Sequence, residues 1–335
     1  MGKQGIAYVT VTGLALALAG CGGSSSSSST DTESDSATIT TAEITLPFKA
    51  MVGSETVACG KSYQGLGTAS SEVTFADFRM FVHNIRLVTD QGEEIALTLD
   101  AGQPGQNADV ALLDFRDKAD VDDNGVILDI CQSGDDANPN FKNSITGTVA
   151  LDAGVSVSDI RFTIGVPFEL NHQSQSAAEE PLRNPGLASG MTWNWQNGYK
   201  FMAADVLPTG GITRPENPDW SGMRWNIHLG STGCEVSTSD LEQGTAPETC
   251  AAPNRLDVSL PLDGLALDNL AIAIDYAALV STVNLAQDGG GSPGCMSFAG
   301  DPECEKIFNN LALPFGDQDN AGGNPNAVVF SVVEG

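Results

Sequence analysis

Short runs of apolar residues, each with β-branched or alternating character and each cut off by Gly, Pro, Asn or Asp, recur along most of this chain. They include ATITTAEITLPFKAMV, FRMFVHNIRLVT, EEIALTLD, SITGTVALD, DIRFTIGV, YKFMAADV, RWNIHLG, NRLDVSLPL, LAIAIDYAAL and AVVFSVV. Period-two alternation buries one face of a strand, and the punctuating residues close turns between strands. Convincing amphipathic helices are scarce. A mainly β fold is therefore expected, an antiparallel β-sandwich. Residues 173–190 and 282–310 read as long loops pinned by proline or disulfides, and no internal repeat or second linker divides the domain.

The N-terminus sets the compartment. Lys3 precedes an apolar stretch that ends Leu18-Ala19-Gly20-Cys21. A basic start, an apolar core and small residues at a cleavage point make an export signal. The ending resembles a bacterial lipoprotein box, with Cys21 the lipidated first residue. The apolar run is shorter than the roughly 20 residues that a membrane span needs. Residues 22–38, rich in Ser, cannot build a core and read as a flexible tether. The expected division is a signal peptide at 1–21, a tether at 22–38 and a β-sandwich domain at 39–335. Gly22 after the Cys, rather than Asp, points to the outer membrane, at its periplasmic face or the cell surface, with the membrane touched through the lipid alone.

Six further cysteines remain: Cys59, Cys131, Cys234, Cys250, Cys295 and Cys304. An even number in an exported chain implies disulfides. Short separations favour Cys234 with Cys250 and Cys295 with Cys304, which leaves Cys59 with Cys131; sequence alone does not fix the pairing. The formal net charge is −28, which excludes nucleic acid as a partner, because phosphate binding needs clustered Lys and Arg.

Three histidines are present: His83 in FVHNIRLV, His172 in FELNHQ and His228 in WNIHLGSTGC. Imidazole suits copper and zinc, and thioethers such as those of Met191, Met202 and Met223 favour copper. Without an HExxH or HxH unit, ligands have to converge from separate segments. The stretch GMTWNWQNGYKF places Trp193 and Trp195 on one face if it is a strand. DVDDNG begins like a calcium loop, with Asp120, Asp122 and Asn124 as ligands, but its twelfth position is Cys131 where a bidentate Glu belongs. Asn124-Gly125 is the competing reading, a hairpin turn. No hydrolase, P-loop or dinucleotide signature occurs, so the chain reads as a carrier rather than an enzyme.

The ordered set FRMFVHNIRLV, ALLDF, DIRFTIGVPFELNH, EEPL, GMTWNWQNGYKF, IHLGSTGC, CAAPNR and the two late cysteines resembles the MbnP-like family from about residue 42 onward. Its members are four-Cys-motif partners of a "metallo-mystery pair", whose other half is a di-haem protein related to cytochrome c peroxidases. The resemblance implies an exported copper-binding β-protein in which the di-haem partner oxidises a Trp to kynurenine beside histidine ligands. Carried onto this sequence, the four-Cys motif falls on Cys234, Cys250, Cys295 and Cys304. His172 and His228 are the implied ligands, with His83 as a third. Trp193 and Trp195 are the candidates for oxidation, and Trp225 competes because it lies three residues before His228. Asn171 and Asn226 are expected to orient the ligand rings. The alternative is a surface β-sandwich that binds carbohydrate or protein through exposed aromatics, its histidines structural.

Overall fold

The computed structural model describes residues 39–335 except 153, 195, 236–245, 318, 321, 322 and 325. The expected signal peptide, the tether and Cys21 thus lie outside the described residues, as does Trp195. Ten strands carry the architecture: β1 (Ile39–Val52), β2 (Ser71–Thr89), β3 (Val110–Asp114), β4 (Ser144–Asp152), β5 (Val157–Ile164), β6 (Lys200–Pro208), β7 (Asn226–Gly230), β8 (Leu256–Pro261), β9 (Leu270–Asp275) and β10 (Phe330–Glu334).

One sheet runs in the order β10-β9-β1-β4, extended by Thr98–Leu99 and with Glu55–Thr56 folded onto the end of β1. The other runs β8-β5-β2-β6-β7, ending in the short strand Gly294–Cys295. Aromatic side chains join the sheets: Phe48 of β1 meets Phe162 of β5 edge to face at 5.8 Å, and Phe162 meets Phe330 of β10 at 6.3 Å. Such edge-on contacts place the positive rim of one ring against the negative face of the next. The expected sandwich is present, with one difference. Two pairings are parallel, β1 with β9 and β7 with Gly294–Cys295.

β2 organises the second sheet. Its residues Val73–Met80 pair with β6 and its residues Val82–Thr89 with β5, so these two strands follow one another along the same edge. The opposite edge takes Ser62–Leu66, β3 and Glu94–Ala96 in succession. The chain leaves β5 at Gly165, whose N–H donates to Phe81 O, and returns at β6, where Met202 faces Met80. Everything between is an excursion over the outer face of the sheet, held there by Tyr199 against Phe81 at 5.7 Å. The middle of β2 is consequently buried on both faces.

Three disulfides join Cys59–Cys131, Cys234–Cys250 and Cys295–Cys304, the pairing that the short separations favour. The segment 282–310, expected as a loop, also contains the helix Cys304–Asn310. Asp120 lies in the strand Lys118–Val121, and residues 122–125 lie in the tip of the hairpin that joins it to Ile127–Ile130. One oxygen of Asp122 accepts the N–H groups of Asn124 and Val126, and Gly125 takes φ +79°. The structure thus favours the turn over the calcium loop. One oxygen of the Asp122 carboxylate is taken by backbone donors, and Asp120 and Asp122 belong to no group of three metal-ligating His, Cys, Asp or Glu side chains among the described residues. No helix among the described residues is long and apolar enough to cross a membrane.

Candidate metal centre

The outer face of the second sheet carries an unusual run of charge. The triplet Asp-Phe-Arg occurs twice, as Asp77-Phe78-Arg79 in β2 and as Asp114-Phe115-Arg116 at the end of β3. Alternation sends both phenylalanines inward, where their rings meet at 5.4 Å, and both charged pairs outward. Arg79 binds Asp77 through two bonds of 2.8 and 2.5 Å, and Arg116 binds Asp114 through two of 2.8 and 2.6 Å. All four side chains are nonetheless buried. Burial alone would raise the Asp77 carboxyl, but Arg79 and Arg116 outweigh it and hold the group down at about 2.

Strand register extends this row to His228. Arg79 faces Ala203 of β6, and Ala203 faces His228 of β7. Asp205, two residues along β6, places its carboxylate oxygens 3.1 and 3.2 Å from Nε2 of His228. Arg224 reaches the same carboxylate at 3.7 Å. Asp77, Arg79, Arg116, Asp205, Arg224 and His228, with Lys200, line a cavity of about 440 Å3. Burial pushes the Lys200 ammonium below its usual range.

The two asparagines expected to orient the ligand rings divide. Asn171 does contact His172, its Nδ2 donating to Nε2 at 3.1 Å. Asn226 instead donates to Pro293 O, and the partner of His228 is Asp205, which the sequence reading passed over. The repeated Asp-Phe-Arg in otherwise apolar strands was the available signal for this charged row.

His172 follows the single helical turn Phe168–Asn171 within the excursion. Asn171 Oδ1 accepts the N–H of Tyr199, which ties the turn to the start of β6. Gly198 sits so close to Asn171 that an added Cβ would collide with its carbonyl oxygen and side-chain amide, and its φ is +79°. Only glycine fits. His172 Nε2 lies 3.6 Å from Cys250 Sγ, and one ligand atom each from His172, Cys234 and Cys250 fall within 4.8 Å of one another. Both sulfurs are bonded to each other, so as the chain stands they offer no thiolates.

His83 lies in the middle of β2, opposite Thr163 and Val110, rather than at a strand end. Its buried Nε2 has no hydrogen-bond partner. Burial, reinforced by Arg255, lowers its pKa to about 4, so the ring is neutral at physiological pH.

The tryptophans separate clearly. Trp193 does not lie in a strand; Thr192 bridges Tyr199, and Asn194 accepts the Gly198 N–H to close a turn. Its half-buried ring packs on Gly230, where an added Cβ would stand 2.7 Å from Cζ3, and meets Phe298 at 5.5 Å. Gly230 is two residues beyond His228 on the same face of β7. Trp225 is fully buried in the core, with Nε1 donating to Gln287 O. Met191 and Met202 are core residues, whereas Met223 is exposed.

The sequence profile of the MbnP family matches residues 41–297. The solved structure of MbnP from Methylosinus trichosporium superposes with a TM-score of 0.69 at 27% identity, covering 88% of this chain and 99% of that one. A search of curated proteins returns no match.

Proposed function

The chain belongs to the MbnP family, and from that premise we propose that it is an exported, lipid-anchored copper-binding protein rather than an enzyme. Copper would be held by His228 and His172, with His83 or a Trp-derived group as a further donor. A bound copper ion would supply soft Lewis-acid and one-electron chemistry at these nitrogens.

The observation that carries this reading is the placement of Trp193 over Gly230, two residues from a histidine that a buried carboxylate orients. A ligating His that donates its other ring N–H to a carboxylate has its tautomer fixed and its basicity raised. With Nε2 committed to Asp205, Nδ1 of His228 is the nitrogen that would be left to hold a metal. The orphaned Nε2 of His83 and its neutral ring fit a ligand role equally well.

Intact tryptophan contributes nothing to such a site, because its indole nitrogen only donates. Opening the pyrrole ring to kynurenine leaves an aryl amine and a ketone, both with lone pairs. The oxidising equivalents come from a di-haem partner of the cytochrome c peroxidase type. Trp193, half-buried beside a surface pocket, is the residue we assign to this step; Trp225 is sealed in the core.

Co-expression with such a partner should raise the intact mass by about 4 Da, localised by fragmentation to Trp193, and raise copper content with it. No change in mass or copper would overturn the maturation reading. A second reading, carbohydrate or protein binding, draws on the ring pair Trp193 and Phe298 beside a cavity of about 640 Å3. Quenching of Trp193 emission by glycans in copper-free protein would favour it.

A further inference from the structure

The three disulfides differ in exposure. Cys295 and Cys304 are 1% and 0% exposed, and Cys59 and Cys131 are also buried. In Cys234–Cys250, Cys234 is buried but Cys250 is partly open to solvent. Thiol–disulfide exchange requires access for an attacking thiolate, so this bridge is the one a reductant reaches first.

His172 stands directly beside the accessible sulfur, with Nε2 3.6 Å from Cys250 Sγ. Two ligands on one tetrahedral zinc, at ~2.3 Å for sulfur and ~2.0 Å for nitrogen, lie about 3.5 Å apart. The imidazole and the Cys250 sulfur therefore already have the separation of two donors on one ion, which would displace the Asn171 Nδ2 that now donates to Nε2 at 3.1 Å. Cys234 completes a group whose ligand atoms lie within 4.8 Å of one another. Backbone bonds between Thr232 and Ala252 and from the Ala251 N–H to Gly233 O hold the two segments together beside the bridge, so the sulfurs separate by side-chain rotation once the bond is cut.

We infer that Cys234–Cys250 is a redox gate on a second metal site, in which one imidazole and two thiolates would take a thiophilic d10 cation such as Zn(II) or Cu(I). The opening step takes two electrons from a dithiol. One of its thiolates attacks Cys250 Sγ, the S–S bond breaks and Cys234 leaves as a thiolate. The second thiol of the reductant then attacks the mixed disulfide, releasing Cys250 as a thiolate and leaving the reductant as its cyclic disulfide. The cation replaces the protons that the two thiolates would otherwise take up. The inference shares His172 with the copper reading above but does not rest on it, since that reading concerns the chain with its bridges intact.

The test uses the mature protein under limiting dithiol, followed by differential alkylation and titration with Co(II) as a spectroscopic stand-in for Zn(II). Cys234 and Cys250 should be alkylated before the other four cysteines. The reduced protein should bind one Co(II) with a thiolate-to-metal charge-transfer band that the oxidised protein lacks, and Zn(II) should displace it. Cys250→Ser should retain about half the band intensity, and His172→Gln should weaken Co(II) binding on the order of tenfold or more. Folding of each variant is read by circular dichroism. If another bridge is reduced first, if the Cys234→Ser/Cys250→Ser double variant still gives the band, or if His172→Gln binds Co(II) as tightly as wild type, the inference fails.

Discussion

Asp205 approaches Nε2 of His228 with both carboxylate oxygens, at 3.1 and 3.2 Å, and is itself almost wholly buried. A carboxylate in that position fixes which nitrogen carries the proton and how the ring is turned. Asp205→Asn keeps the shape and removes the charge. Copper affinity, measured by competition with a chromogenic chelator, should fall by about 10–100-fold while the thermal midpoint moves little. An unchanged affinity would mean that His228 is no ligand.

The buried pair Asp77–Arg79 makes a separate prediction about stability. Truncating Arg79 leaves the buried Asp77 carboxylate with Arg116, 3.7 Å away, as its remaining cation, at a cost of up to about 3–5 kcal/mol in denaturant unfolding. The Asp77 carboxyl has a folded value of about 2, below its ordinary value of 3.8, so its contribution is present above pH ~4 and lost as pH falls toward 2. Arg79→Ala should shift that acid loss to higher pH, which unfolding curves at stepped pH will show.

Glu303 titrates in the opposite sense. Burial, reinforced by Asp288 and Asp301, pushes its carboxyl up to about 7, although the Gly289 N–H donates to it at 2.6 Å. A folded value above the unfolded one stabilises the chain below the unfolded pKa, and that stability is lost as pH rises from 4.5 through 7. Glu303→Gln keeps an acceptor for Gly289 and removes the titration. The thermal midpoint of the variant should exceed that of wild type at pH 8 and converge with it near pH 5; parallel curves would contradict the assignment.

Gly230→Ala inserts a methyl group 2.7 Å from the Trp193 ring and 2.8 Å from Tyr199 O. One of them must move. Overpacking of this kind costs about 1–3 kcal/mol, and the displaced indole should shift its emission to the red. If Trp193 is the oxidised residue, the yield of the mass shift should change as well.

Cys21→Ser tests the anchor that the N-terminal residues imply. The variant should accumulate as a soluble or unprocessed chain in fractionation. Membrane attachment equal to wild type would rule out lipidation at this position.

The alternating runs made the sandwich legible because half-buried strands expose their period directly, as in SITGTVALD and NRLDVSLPL, which became β4 and β8. β2 was only half legible. FRMFVHNIRLVT covers its second part, but the strand begins at Ser71, and its centre is buried on both faces, which erases the alternation. The parallel pairing of β1 with β9 left no local trace, since it joins segments more than two hundred residues apart. At the site, the histidines and Trp193 were visible as rare residues in distinctive segments. Asp205 was not, because a lone Asp in YKFMAADV carries no signal until the register places it beside His228.

The succession of β5 and β6 along one edge of β2 makes the excursion 165–199 a cassette. It starts at a bond to Phe81 and ends opposite Met80, so its two ends are fixed by the scaffold whatever lies between them. Lengthening a loop whose ends are already held costs little, about 0.6 kcal/mol for each doubling. Proposed site residues carried by the cassette, His172 and Trp193 among them, can therefore be exchanged or respaced without renegotiating strand register. Those on the sheet itself, His83 and His228, cannot. Half of the site is free to drift, and the other half drifts only with the fold.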